Sequence, residues 1–324
     1  MLTQPHERYR GLPEERRFVR RYLAAMRATP VRELLQVPRI LPLAEALACL
    51  DGWIDPAHFQ QACDRAASYL TAIHPGLRLL PPQREIIGVP DPASEDPGGF
   101  HSRHGQGYQD MHLYAFAMLL SPRYTASPRL NALEVARNYL HDSIHYSQFR
   151  VYRRVPPHVT NQRFAIWRAQ SGVSFRHPNG ISYSPREITR QGPERINLSL
   201  LQDGVTVLLT ARALAPLVDQ ELAQARNDFE RQVLADIAGR YELLEDGPAR
   251  RFHREVTEPS VAFLRYWGGA DWQRFMLRVL AAMLSGRLTE VMPVFEPDRA
   301  SRGRFKRLFM SPDWIALRGV DRPR

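Results

Sequence analysis

The 324-residue chain is 44% hydrophobic and 24% charged, which excludes a disordered or fibrous protein and allows one large core or two smaller ones. Its two cysteines, Cys49 and Cys63, exclude a disulfide framework; both fall in apolar helical contexts and read as small core residues of a reduced, cytoplasmic protein. The net charge of +10 and the pI near 10.0 come almost wholly from Arg, because Lys306 is the sole Lys, and a guanidinium surplus favours phosphate and carboxylate partners.

The start, Met1 to Gly11, is polar and lacks the apolar region of a secretory leader. No run reads as a membrane span; the best stretch, Phe275 to Leu284, is broken by Arg278. A first helix is predicted over 14–28. Phe18, Tyr22 and Met26 lie on its inner face, and Arg16, Arg17, Arg20 and Arg21 form a solvated one. A second is predicted over 41–50, stopping at Asp51-Gly52. A third starts at Asp55-Pro56, a good cap and first-turn pair, and ends before Pro75-Gly76. Six prolines, followed by Gly98, Gly99, Gly105 and Gly107, then mark 75–108 as a long loop, of the kind that is usually functional or a linker. It carries His101, Arg103 and His104. A helix is predicted over 109–121 and contains His112. Ser127-Pro128 opens the next helix, whose buried stripe is Leu133, Ala136, Leu140 and Ile144.

On that helix His141 and His145 are four apart and share one face, with Asp142 next door. Two imidazoles and a carboxylate within one turn have the donor chemistry of half a metal site. Beyond it, 170–184 alternates and reads as a hairpin turning at His177-Pro178-Asn179-Gly180. Residues 196–201 suit a strand or the approach to a helix. The chain is then mostly helical over 205–241, with Pro216 inside and Val218, Leu222, Ala225, Phe229, Val233 and Ile237 inward. Residues 244–256 read as a charged loop, and helices follow at 258–267 and 271–285. Residues 296–324 read as a basic, weakly ordered tail, with Phe305 and Phe309 placed to stack on the bases of a nucleic acid.

The pattern of an early His, then the His-Asp pair of Y-L-H-D-S-I-H, then a later Asp in L-V-D-Q-E-L resembles the HD-domain metal-dependent phosphohydrolases. R-H-G at 103–105 is similar to the "R-x-x-H-S" stretch of one branch of that family. Ile144 stands where the family carries Gly. The resemblance implies a mainly α fold, a helical bundle of HD-like type with a β-hairpin insertion. It divides the chain into an N-terminal helical region with its Pro-rich loop (1–98), a metal-site domain (99–295) and the tail (296–324). It implies a divalent metal, Mn, Fe, Co or Zn, held by His104 or His112 with His141, Asp142 and Asp219. His145 would protonate the leaving oxygen or hold a second ion. Arg103 and Arg150 would clamp the phosphate of a phosphorylated small molecule or nucleotide.

A second reading takes H-D-S-I-H as a variant of the zinc-protease H-E-x-x-H. Asp142 is then the general base, one methylene short, and Glu221 or His253 is available as the third ligand. A third reading is a non-enzymatic helical interaction protein whose Arg299–Arg307 run engages nucleic acid or an acidic partner.

Overall fold

The computed structural model describes residues 7–28, 40–42, 47–48, 52, 54–79, 86–88, 117–119, 127–159, 165–175 and 192–309. Among them 68% are helical, so the protein is mainly α. In chain order the elements are β1 (Glu7–Tyr9), α1 (Pro13–Ala28), β2 (Ile40–Pro42), α2 (Pro56–Ile73), β3 (Ile86–Gly88), β4 (Ala117–Leu119), α3 (Pro128–Ser147), β5 (Arg150–Arg154), β6 (Ile166–Ser171) and β7 (Ser174–Phe175). Then come α4 (Leu198–Leu222), α5 (Asp228–Ile237), α6 (Pro248–Phe252), a π-helical turn (His253–Thr257), α7 (Glu258–Gly268), α8 (Trp272–Ser285), α9 (Met292–Phe295) and α10 (Arg304–Phe309).

The chain forms two compact units: Met1–Tyr22 with Gln148–Val205 and Glu255–Arg324, and Leu23–Ser147 with Thr206–Arg254. The divisions expected at 98/99 and 295/296 do not coincide with them, because the chain enters each unit more than once.

The first unit holds a four-stranded sheet, β1-β5-β6-β7. β1 runs parallel to β5, and β5–β6 and β6–β7 are antiparallel. The described strands thus form a larger sheet than a two-stranded insertion, and it recruits the N-terminus. Its tight turn lies at Gly172-Val173, where Gly172 takes φ +54, a left-handed value that Gly adopts without strain. The turn expected at Asn179-Gly180 lies outside the described residues. Gln170, buried on β6, donates through Nε2 to the carbonyls of Gly172 and Gly286 at 2.9 and 3.1 Å. It thereby ties the hairpin to the end of α8. There Gly286 adopts φ +69, and a Cβ on it would lie 1.9 Å from Phe149 Cδ1, so only Gly fits that cap.

α7 to α10 close this unit with an aromatic cluster. Phe295 packs against Phe263, Trp267, Phe275 and Phe305 with ring centroids 4.8 to 5.8 Å apart. Phe305 is 1% exposed, which corrects the expectation that it stacks on bases from a weakly ordered tail. It fills a core, and Ser301 and Asp298 order the turn before it through reciprocal hydrogen bonds. The side chain of Phe309 lies outside the described residues.

In the second unit Asp55 caps α2 as the sequence predicts, accepting the His58 N–H at 2.9 Å. α2 packs on α3, with Phe59 and Tyr139 ring centroids 6.0 Å apart. Cys63 is buried as expected, and Cys49 lies outside the described residues. A three-stranded sheet, β2-β3-β4, replaces two expected pieces of helix. Ile40–Pro42 is an edge strand, a position where Pro, which lacks the backbone donor, is tolerated. Ala117–Leu119 pairs in parallel with β3; a short apolar run carries no periodicity that separates helix from strand.

The expected continuous helix over 205–241 is also interrupted. α4 ends at Leu222, and Asn227 caps α5 by accepting the Glu230 N–H at 2.9 Å. The interruption turns Phe229 outward to 46% exposure. Of the expected loop at 244–256, residues 244–247 are irregular as expected, and the rest is α6 and the π-helical turn, with His253 buried. α4, rather than Phe275–Leu284, is long and apolar enough to cross a bilayer, with a mean hydropathy of 1.2 in its best window, and 67% of that window is buried inside the protein.

Candidate metal centre

α3 is buried around nearly its whole circumference. From Leu130 to Ser147 every residue is buried except Arg137, His141 and His145. These three recur at intervals of four and form one half-exposed stripe along an otherwise enclosed helix. The inward residues expected from the sequence, Leu133, Ala136, Leu140 and Ile144, are at most 1% exposed. The helix runs unbroken through Ile144, the position where the HD pattern carries Gly.

His141 and His145 meet edge to face, with ring centroids 4.8 Å apart and planes at 66°. Their Nε2 atoms converge to 3.2 Å. Asp142 is buried between the two turns at 5% exposure.

Arg137 is the stripe residue that sequence reasoning missed. Its spacing, R-x-x-x-H-x-x-x-H, was the available signal. Its guanidinium donates to Glu134 Oε1 at 2.6 Å and lies 3.3 Å from Asp236 Oδ2. Asp236 in turn accepts from His253 Nε2 at 2.9 Å when that nitrogen carries its proton. Helices α3 and α5 and the π-helical turn are thus joined by a largely buried polar network beside the imidazole pair.

The other expected site residues lie apart from that pair. Asp219, expected as the last ligand, is 56% exposed and holds Arg240 Nη2 at 2.5 Å; the sequence could not show this partner 21 residues away. Glu221 accepts two hydrogen bonds from Arg129, at 2.9 and 2.7 Å, and lies 3.7 Å from His58. His253 is committed to Asp236. Arg150, expected as a phosphate clamp, is fully buried in the other unit. It faces Glu7 across the β1–β5 register with 3.7 Å between Nη1 and Oε1, a position that serves the sheet and excludes solvent. Arg103, His104 and His112 lie outside the described residues, as does His101.

Among the described residues no three His, Cys, Asp or Glu side chains gather in a way that would hold a metal. What the described residues contribute is the imidazole pair alone. A tetrahedral ion with bonds of about 2.0–2.1 Å needs two ligating nitrogens about 3.3 Å apart. The separation of 3.2 Å, at which one ring can also donate to the other, matches that spacing. No family model matches the chain, and no curated protein or solved structure is significantly similar to it.

Proposed function

We propose that the protein is a metal-dependent hydrolase whose ion is held by Nε2 of His141 and His145. The observation that carries this reading is the 3.2 Å convergence of the two nitrogens on the one stripe of α3 that solvent reaches. Paired imidazoles favour zinc within the expected set of Mn, Fe, Co and Zn. The remaining ligand is sought in the 101–112 stretch, where His104 and His112 were expected.

A divalent ion bound there supplies Lewis acidity and brings the pKa of water toward neutrality. The chain supplies the rest. Both imidazoles present Nε2 lone pairs, which requires each ring to carry its proton on Nδ1. In the H-x-x-x-H reading Asp142, adjacent to His141 in sequence but buried, would take up the proton released by the nucleophile. Arg137, fixed by Glu134 and Asp236, holds the stripe in register one turn before His141.

Asp219, with Arg240 as its partner, does not join the imidazole pair as the HD pattern requires, which puts the H-x-x-x-H reading, with a peptide or amide substrate, ahead of an HD-type phosphoester site. The test is an assay of zinc-loaded protein on a peptide library and on a panel of nucleotides and phosphodiesters, for the wild type and Asp219→Ala. Peptide cleavage that survives Asp219→Ala is expected. Phosphoester turnover lost in Asp219→Ala would instead restore the HD-type site.

A further inference from the structure

β1 is an edge strand of its sheet and leads directly into α1. The two line an open groove of about 480 Å³. Arg8 and Arg10 reach it from the strand, and Arg16, Arg17 and Arg20 from the helix. All five are exposed, and among the described residues none makes an ion pair. The acid in the groove wall, Glu7, is buried against Arg150 and accepts a hydrogen bond from Tyr9 Oη at 3.2 Å, so it does not neutralise them. Two of the guanidiniums are held in place over rings, Arg20 at 5.8 Å from the Tyr9 centroid and Arg8 at 5.4 Å from that of Phe149. Five like charges gathered this closely repel one another, and an anionic ligand relieves that cost.

A second, largely apolar hollow adjoins the groove and shares Arg17 with it. Its floor is Phe18 and Tyr22, half-exposed and stacked with ring centroids 5.8 Å apart. Arg154 covers the Phe18 ring from β5 at 4.8 Å. Tyr22 Oη accepts the Ala165 N–H at 3.3 Å, which fixes the shelf to the sheet. A track of guanidiniums beside an aromatic shelf matches a phosphodiester backbone with its bases turned aside.

We propose that the β1–α1 groove and the Phe18–Tyr22 shelf form a binding site for single-stranded nucleic acid. The inference does not rest on the imidazole pair and stands or falls separately. It also differs from the expected tail site, since Phe305 is in the core.

The test is fluorescence anisotropy with labelled twenty-nucleotide dT and rU strands, using the full chain. Inorganic polyphosphate and oligoglutamate serve as competitors without bases. Wild-type protein is expected to bind the strands with a steep salt dependence. The exposed triple variant Arg8→Gln/Arg17→Gln/Arg20→Gln is expected to bind at least about tenfold more weakly and to lose about 2 from the log–log salt slope, about 0.7 for each lost phosphate contact. Phe18→Leu, which keeps apolar volume, is expected to weaken strand binding about fivefold or more while leaving competition by polyphosphate unchanged. Tyr22→Leu gives a second reading of the shelf if Phe18→Leu is unstable. Unchanged binding in the triple variant overturns the site. Unchanged binding in both shelf variants, or oligoglutamate competing as well as the oligonucleotides, overturns the nucleic-acid assignment in favour of a general anion or acidic-protein groove.

Discussion

Single residues divide here by what their neighbours do to their charge. His58 sits at 3% exposure on α2, where burial first and the Arg129 guanidinium second hold its pKa below the ordinary 6.5. Glu221 and Asp55 pull the other way without overcoming them. The folded protein therefore keeps His58 neutral, while the unfolded chain protonates it as pH falls through 6.5. Its contribution to stability is complete above that pH and declines below it, toward the lower folded value. The expected outcome is a urea midpoint that falls between about pH 7.5 and about pH 5.5 in the wild type and falls less in His58→Gln. Equal slopes in the two proteins would contradict this. At the candidate site, His141 and His145 were legible because helical spacing alone places them together. Asp219 and Arg150 misled because a lone charged residue does not show its partner: Arg240 and Glu7 become visible only once the chain is folded.

Elements were legible where local chemistry sets them and obscure where distant pairing does. The Asp55-Pro56 start of α2 and the periodic stripe of α3 gave both helices closely. β1, β2 and β4 have only three residues each and exist because another strand supplies their hydrogen bonds. The turn that the Asn179-Gly180 dipeptide predicts lies outside the described residues; the turn between β6 and β7 is made by Gly172, whose neighbours Gln148 and Gln202 leave no room for a side chain. Residues 296–309 depart from the expected tail for a related reason. Arg residues set the basic character of the stretch, whereas the placement of Phe305 follows from contact with Phe295 and the closing of the aromatic cluster. Phe305→Ala is expected to cost about 3–5 kcal/mol, as emptying a buried aromatic site does. A thermal melt should show a clear fall in Tm. A Tm unchanged from the wild type would mean that α10 does not hold the core together.

At the scale of the molecule, two units are built from interleaved stretches, and no composition shift marks where one ends. The unit boundaries after Tyr22 and Val205 fall inside α1 and α4, where periodicity continues undisturbed. Each unit presents one distinct chemistry: guanidiniums and aromatic rings around β1 and α1 in one, and the imidazole pair of α3 in the other. The central claim is that this pair binds a divalent ion. Equilibrium dialysis of chelator-stripped protein against zinc, read by elemental analysis, tests it most directly. The expected result is about one zinc per chain in the wild type and essentially none in His141→Ala or His145→Ala, with the helical circular dichroism of all three alike. A wild type that takes up no zinc, manganese, iron or cobalt, or one whose zinc content is unchanged when either His is replaced, would contradict the account.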